Sequence, residues 1–314
     1  MIRSDMNTWT ARFLRATLTI MPGIGYCRNA FATGQFEKAV QIDPVFGLPV
    51  PPVRYDGSIV GQFDPTSTAV ATRIFIAIFV GAIIWGMQRS IKTKSAIPIC
   101  LALTGIPCVF AELNLDVMGA VIYPSNPDSV LFTLMGRHMG WFIIAAWSAY
   151  GGLFALASYL IFSRPQLPTR FIWLGFAMVC VGQTFFEELL SHFNGIYYYY
   201  GNQPLTPISQ FPWWIIFPTS GGVCFLSALT YRFNASLKGW RALGLVVCAP
   251  FTFCGFMGFV SLPAWIAVNS ELPHWVNNVL GLSTVIAGLI AFAMTMKLIL
   301  QRDPLQPDGI GKRF

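Results

Sequence analysis

Long runs of apolar residues, broken at intervals by short polar connections, dominate this chain from residue 67 onward. A helix needs about 20 mostly apolar residues to cross the hydrocarbon of a bilayer, and seven stretches meet that length. They lie at 67–87, 96–121, 139–162, 171–190, 211–230, 242–267 and 278–299. The pattern predicts an all-α fold, a polytopic membrane bundle of about seven transmembrane helices. Asp64 and Pro65 stand where the first of these helices should begin, with Ser67 or Thr68 also able to cap it. The first 66 residues read as an amino-terminal extramembrane or interfacial segment. Its apolar stretch 13–26 suits an amphipathic helix on the membrane surface, with an eighth span as the alternative, and its Pro-rich part could fold over the bundle as a lid. Residues 67–300 then form the bundle and 301–314 a cytoplasmic tail.

Composition agrees with this class: the 314 residues are 55% hydrophobic and only 11% charged, which excludes a soluble domain of this size. Positive charge orients the spans. Arg89, Lys92 and Lys94, then Arg164 and Arg170, then Arg232, Lys238 and Arg241 occupy alternate connections, and Lys297, Arg302, Lys312 and Arg313 follow at or beyond the end of the last span. The positive-inside rule therefore predicts an external amino terminus and a cytoplasmic carboxyl terminus. The net charge of +7 is mostly this topological signal and gives no argument for nucleic acid as a partner. Membrane lipid and a hydrophobic small molecule are the expected partners, and oligomeric state is not encoded. The seven cysteines form no CxxC pair and read as small apolar residues.

Against this background the carboxylates stand out. Glu112 and Asp116 lie in the second span and Glu187 with Glu188 near the end of the fourth, where ionised groups are costly and usually functional. The spacing of Glu112 and Asp116 puts both on one helix face, suited to sharing a proton and acting as a general acid. A structural role, knitting helices by hydrogen bonds or by an ion pair with Arg73 or Arg137, is the alternative. Glu187 and Glu188 diverge by about 100° around their helix, and Gln183 and Thr184 give Glu187 a polar ridge, which favours it as the inward one. On the same predicted side lie His138, His192, Asn194 and the four tyrosines Tyr197, Tyr198, Tyr199 and Tyr200, followed by Trp213. An aromatic belt at the membrane interface would account for the tyrosines. Alternatively their rings line a cavity and stabilise cationic carbon, as Trp141, Trp147 and Trp214 also could.

Three histidines without HxxxH spacing are too few for a membrane di-iron site, and the aspartate-rich diphosphate motif of intramembrane prenyltransferases is missing. No metal or cofactor is therefore expected. Lys297, at the inner end of the seventh span, is badly placed for a retinal Schiff base.

Compact spans with short loops, membrane acids and abundant aromatics resemble the small integral membrane terpene cyclases, and the acidic segment followed by GIYYYYG is loosely similar to carotenoid-biosynthesis membrane proteins. The resemblance covers architecture between residues 67 and 300. It implies protonation of an epoxide or alkene by an acidic residue and ring closure without metal, an isomerase or lyase chemistry of isoprenoid biosynthesis. Glu112 would be the counterpart of the family's first acid. Late in the chain, where a second acid is expected, this sequence has Asn277 and Asn278. On this reading Glu112 and Asp116 supply or tune the proton, Glu187 accepts one, and His138, Glu188, His192, Asn194, the tyrosines and Trp213 line the substrate site. A proton-coupled transporter and a noncatalytic assembly subunit are the alternatives.

Overall fold

A computed structural model describes residues 64–123, 129–134, 137–191 and 196–311. The expected amino-terminal segment and possible lid, apart from residues 64–66, therefore lie outside the described residues, as do His192, Asn194, Lys312 and Arg313.

Among the described residues six helical stretches are long and apolar enough to cross a membrane, which makes the chain a multi-pass helical membrane protein. In chain order the elements are α1 (Pro65–Thr93), the short α2 (Ile97–Leu103) and α3 (Val109–Met118), β1 (Val121–Ile122), β2 (Val130–Leu134), β3 (Arg137–Gly140), α4 (Trp141–Phe162), α5 (Thr169–Ser191), β4 (Tyr198–Tyr199), α6 (Ile216–Arg232), α7 (Gly244–Val268) and α8 (His274–Met294). The strands make two small antiparallel pairs, β1 with β4 and β2 with β3. Asp64 caps α1: its Oδ1 accepts from the Thr66 N–H at 2.9 Å, and the Ser67 hydroxyl donates to Oδ2 at 2.6 Å.

The count corrects the expected seven. The second expected span is not one helix but two, α2 and α3, joined by a turn. Pro107 has no N–H to continue the helical ladder. The chain tightens instead into i→i+3 hydrogen bonds, from Thr104 N to Leu101 O, Ile106 N to Leu103 O and Cys108 N to Gly105 O. Tertiary contact fixes the break. A Cβ on Gly105 would lie 2.2 Å from the Trp147 carbonyl oxygen, and one on Gly152 would lie 2.2 Å from the Ala102 carbonyl oxygen. The two backbones touch, and α4 runs antiparallel to the 97–118 segment, since Trp147 meets Gly105 while Gly152 meets Ala102. Only glycine permits such an approach.

The core centres on α6, which packs against α4, α5, α7 and α8, and 78% of whose apolar window is buried. By contrast only 22% of the α1 window is buried. At one end of the bundle the tail folds back onto the α4–α5 connection. The buried Arg302 guanidinium donates to the carbonyls of Leu167 and Arg164, and Gly309 O accepts from both the N–H and the hydroxyl of Thr169. This fixes that end of α5, so its other end, with Glu187 and Glu188, lies at the far side of the bundle.

Candidate functional site

The polar groups converge at the end opposite the tail. A cavity of about 100 Å³ opens there over the face of α4, walled by α1, α3, α5 and the start of α6. Most of its lining is aromatic or aliphatic, and two carboxylates enter it, Glu112 from α3 and Glu187 from α5. Its volume suits several waters or a compact apolar group.

Glu112, 4% exposed, is held by two donors. The Tyr123 hydroxyl donates to Oε1 at 2.6 Å and the Trp147 indole N–H to Oε2 at 2.5 Å. Each oxygen is thus satisfied and the carboxyl is fixed against the cavity wall. Trp147 is itself braced by Phe253, whose ring meets it edge-on at 4.7 Å. Across the cavity, the Tyr197 hydroxyl donates to Glu187 Oε2 at 2.6 Å. Tyr123 and Tyr197, the donors to the two acids, lie ring against ring at 5.7 Å. The two carboxyls are therefore linked through one aromatic contact.

The four consecutive tyrosines divide their roles. They form β4 and its flanks, paired to β1 with Tyr199 opposite Val121 and Tyr198 opposite Ile122. Alternate residues of an extended chain face opposite ways. Tyr197 and Tyr199 line the cavity, whereas Tyr198 and Tyr200 do not. The Tyr200 hydroxyl accepts from Arg137 at 2.5 Å.

Other expected site residues are placed elsewhere. Asp116, 1% exposed, shares the helix of Glu112 but does not line the cavity, and neither of its carboxylate oxygens has a hydrogen-bond partner among the described residues. Arg137 donates to the Asp116 backbone carbonyl at 3.4 Å, not to its carboxylate. Glu188 points away from the cavity, where the Trp213 indole donates to it at 2.7 Å, so these two form a pair of their own. His138 sits on β3 opposite Thr133 with its side chain exposed. Arg73 is exposed on α1. Asn277 and Asn278 bind the loop before α6, through Asn202 O and Leu205 N, and are not cavity residues.

Residues that the sequence left unassigned complete the site. One helical turn below Glu187, Gln183 Oε1 accepts from the hydroxyls of Tyr150 at 2.9 Å, Thr219 at 2.6 Å and Ser220 at 2.9 Å. Their signal was partly legible, because Gln183 and Glu187 stand four apart on one helix face. For Tyr123 there was none, since its position follows from the path of the chain after α3. Among the described residues no cluster of three or more His, Cys, Asp or Glu side chains is arranged to hold a metal ion.

In comparisons with known protein families, curated proteins and solved structures, the chain has no match, and the geometry alone carries the functional reading.

Proposed function

We propose that the chain is an integral membrane enzyme that isomerises or cyclises a hydrophobic, isoprenoid-like substrate by acid/base catalysis. The observation that carries this reading is the pair of carboxyls, Glu112 and Glu187, facing one aromatic-walled cavity from different helices. A protonated Glu112 donates its proton to an alkene or epoxide of the substrate, leaving positive charge on carbon. The faces of Tyr123, Tyr197 and Trp147 stabilise that charge while the cavity keeps bulk water from quenching it. Glu187 removes a proton from a neighbouring carbon, whose C–H electrons form the product double bond. One proton enters the substrate and one leaves, so the step is redox-neutral and calls on no cofactor. Asp116, buried one turn along the same helix behind Glu112, tunes where the proton resides.

The test is product formation. Lipid extracts of cells making the wild-type protein are compared with those of cells making Glu112→Gln and Glu187→Gln at equal membrane levels, and the purified proteins are then assayed with the accumulating precursor. An isoprenoid product that disappears in both variants supports the reading, and one that persists in Glu112→Gln removes it.

A second reading, proton-coupled transport, draws on a polar face that continues below the site. Ser220 bonds Gln183, Cys224 meets Ser158 at 3.6 Å, and Ser227 donates to Ala155 O at 2.9 Å, at successive turns of α6 toward the tail. Dissipation of a proton gradient by protein-containing vesicles on addition of solute would favour it.

A further inference from the structure

The cavity has a side wall made of two helices that barely meet. α1 packs along α4 and α2, while α5 packs along α6 and α4, so the two flank α4 with little direct contact between them. Where both border the cavity, Phe75 of α1 meets Phe186 of α5 with ring centroids 5.9 Å apart. Ile78 on α1 and Leu190 on α5 complete that edge. Behind them, Ala146, Tyr150 and Leu153 of α4 retain partial exposure, although the opposite side of α4 is sealed against α2 and α6. These three side chains line the cavity directly behind the Phe75–Phe186 contact.

The surroundings of the gap are hydrocarbon-facing. On α1, Val70, Ile74, Ile76 and Val80 are exposed, and on α5, Met178, Val181, Phe185 and Leu189. Both belong to spans by length and composition, so this surface lies against lipid chains. The mouth is apolar and the polar groups, Glu112, Glu187 and Gln183, lie inside. A water-soluble solute would lose its hydration at such a mouth without replacement contacts, whereas a hydrocarbon chain passes from lipid to aromatic wall at little cost.

We infer that the gap between α1 and α5 is a lateral portal through which a single hydrocarbon chain of a bilayer-dissolved lipid reaches Glu112 and Glu187, with the Phe75–Phe186 contact as its gate. The inference rests on the proposed enzyme reading for the chemistry at the two acids, but the route itself is tested by occupancy alone. Phe186 moves at the smaller cost, since it is half-buried and its other ring neighbour, Phe185 at 5.6 Å, is exposed, whereas Phe75 is buried and held by the buried Phe142 at 5.8 Å.

The full chain is reconstituted in phosphatidylcholine vesicles in which a fraction of the lipid carries a photoreactive diazirine near the end of one acyl chain. After irradiation, adducts are mapped by mass spectrometry. The expected result is labelling of cavity residues, Tyr150 and Glu187 among them, in addition to the lipid-facing surface around Phe185. Ile78→Trp, which fills the mouth, should abolish the cavity adducts and leave those around Phe185, and Phe186→Ala should raise the cavity adducts. Labelling confined to the exterior in the wild type, or cavity labelling unaffected by Ile78→Trp, would overturn the portal. Cavity labelling in a protein whose Glu112→Gln variant still makes product would retain the portal and remove the enzyme reading. Loss of product without cavity labelling would do the reverse.

Discussion

Replacing Glu112 in two ways separates its chemistry from its structural role. The carboxyl accepts from a tyrosine hydroxyl and from an indole N–H. An indole can only donate, but a phenol can donate or accept. Glutamine therefore fits the same place: its oxygen takes the Trp147 N–H and its NH2 donates to the Tyr123 oxygen, while the displaced Tyr123 O–H turns toward the cavity that Tyr123 lines, where there is room for water. Alanine leaves both donors without a partner. A buried donor so stranded costs about 1–3 kcal/mol, so Glu112→Ala should lose about 2–6 kcal/mol, toward the lower end because the adjoining cavity offers the Tyr123 hydroxyl room for water. Thermal or denaturant unfolding of the purified proteins in detergent measures both, and the product assay is run beside it. The expected pattern is near-wild-type stability with abolished turnover for Glu112→Gln, and a lower unfolding midpoint for Glu112→Ala. Equal destabilisation by the two substitutions would refute the hydrogen-bond reasoning.

Other expectations follow from other parts of the fold. Gly105→Val should prevent the contact between the 97–118 segment and α4, because its Cβ would meet the Trp147 carbonyl oxygen at 2.2 Å; a loss of at least about 3 kcal/mol is expected, read as loss of monodisperse protein after detergent extraction. Tyr197→Phe should leave the fold intact and cut turnover more than Tyr198→Phe does, since Tyr197 donates to Glu187 and Tyr198 lies outside the cavity. Arg302→Ala should release the tail, with faster amide exchange at residues 303–311 and a cost of about 1–3 kcal/mol for the stranded carbonyls. The Ser67 hydroxyl holds the Asp64 carboxyl below its ordinary pKa. A depressed carboxylate contributes stability that is fully present above the unfolded pKa of 3.8 and lost as pH falls through the lower folded value. Exchange at the first turn of α1 should therefore rise on acidification below that range, and Asp64→Ala should remove the pH dependence.

Hydropathy and helix signals were sufficient to read the membrane class, the positions of six long helices with ends off by up to six residues, and the Asp64 cap, because each depends on neighbours along the chain. The same local rules gave Glu187 as the inward acid through its Gln183 ridge. They failed where the deciding partner is remote in sequence. The second apolar run satisfies every local criterion for one helix, yet it breaks, because Pro107 leaves the ladder open and Gly105 lets the Trp147 backbone fix the bend. Glu112 and Asp116 have equivalent spacing and burial, yet the bend and the placement of Trp147 put one against the cavity and the other behind it. Four identical tyrosines acquire two environments only because β4 pairs with β1 in one register. A sequence sets which helices form and which of their faces are apolar; which polar groups then meet is decided by the packing order of the helices, an interaction that no single segment contains.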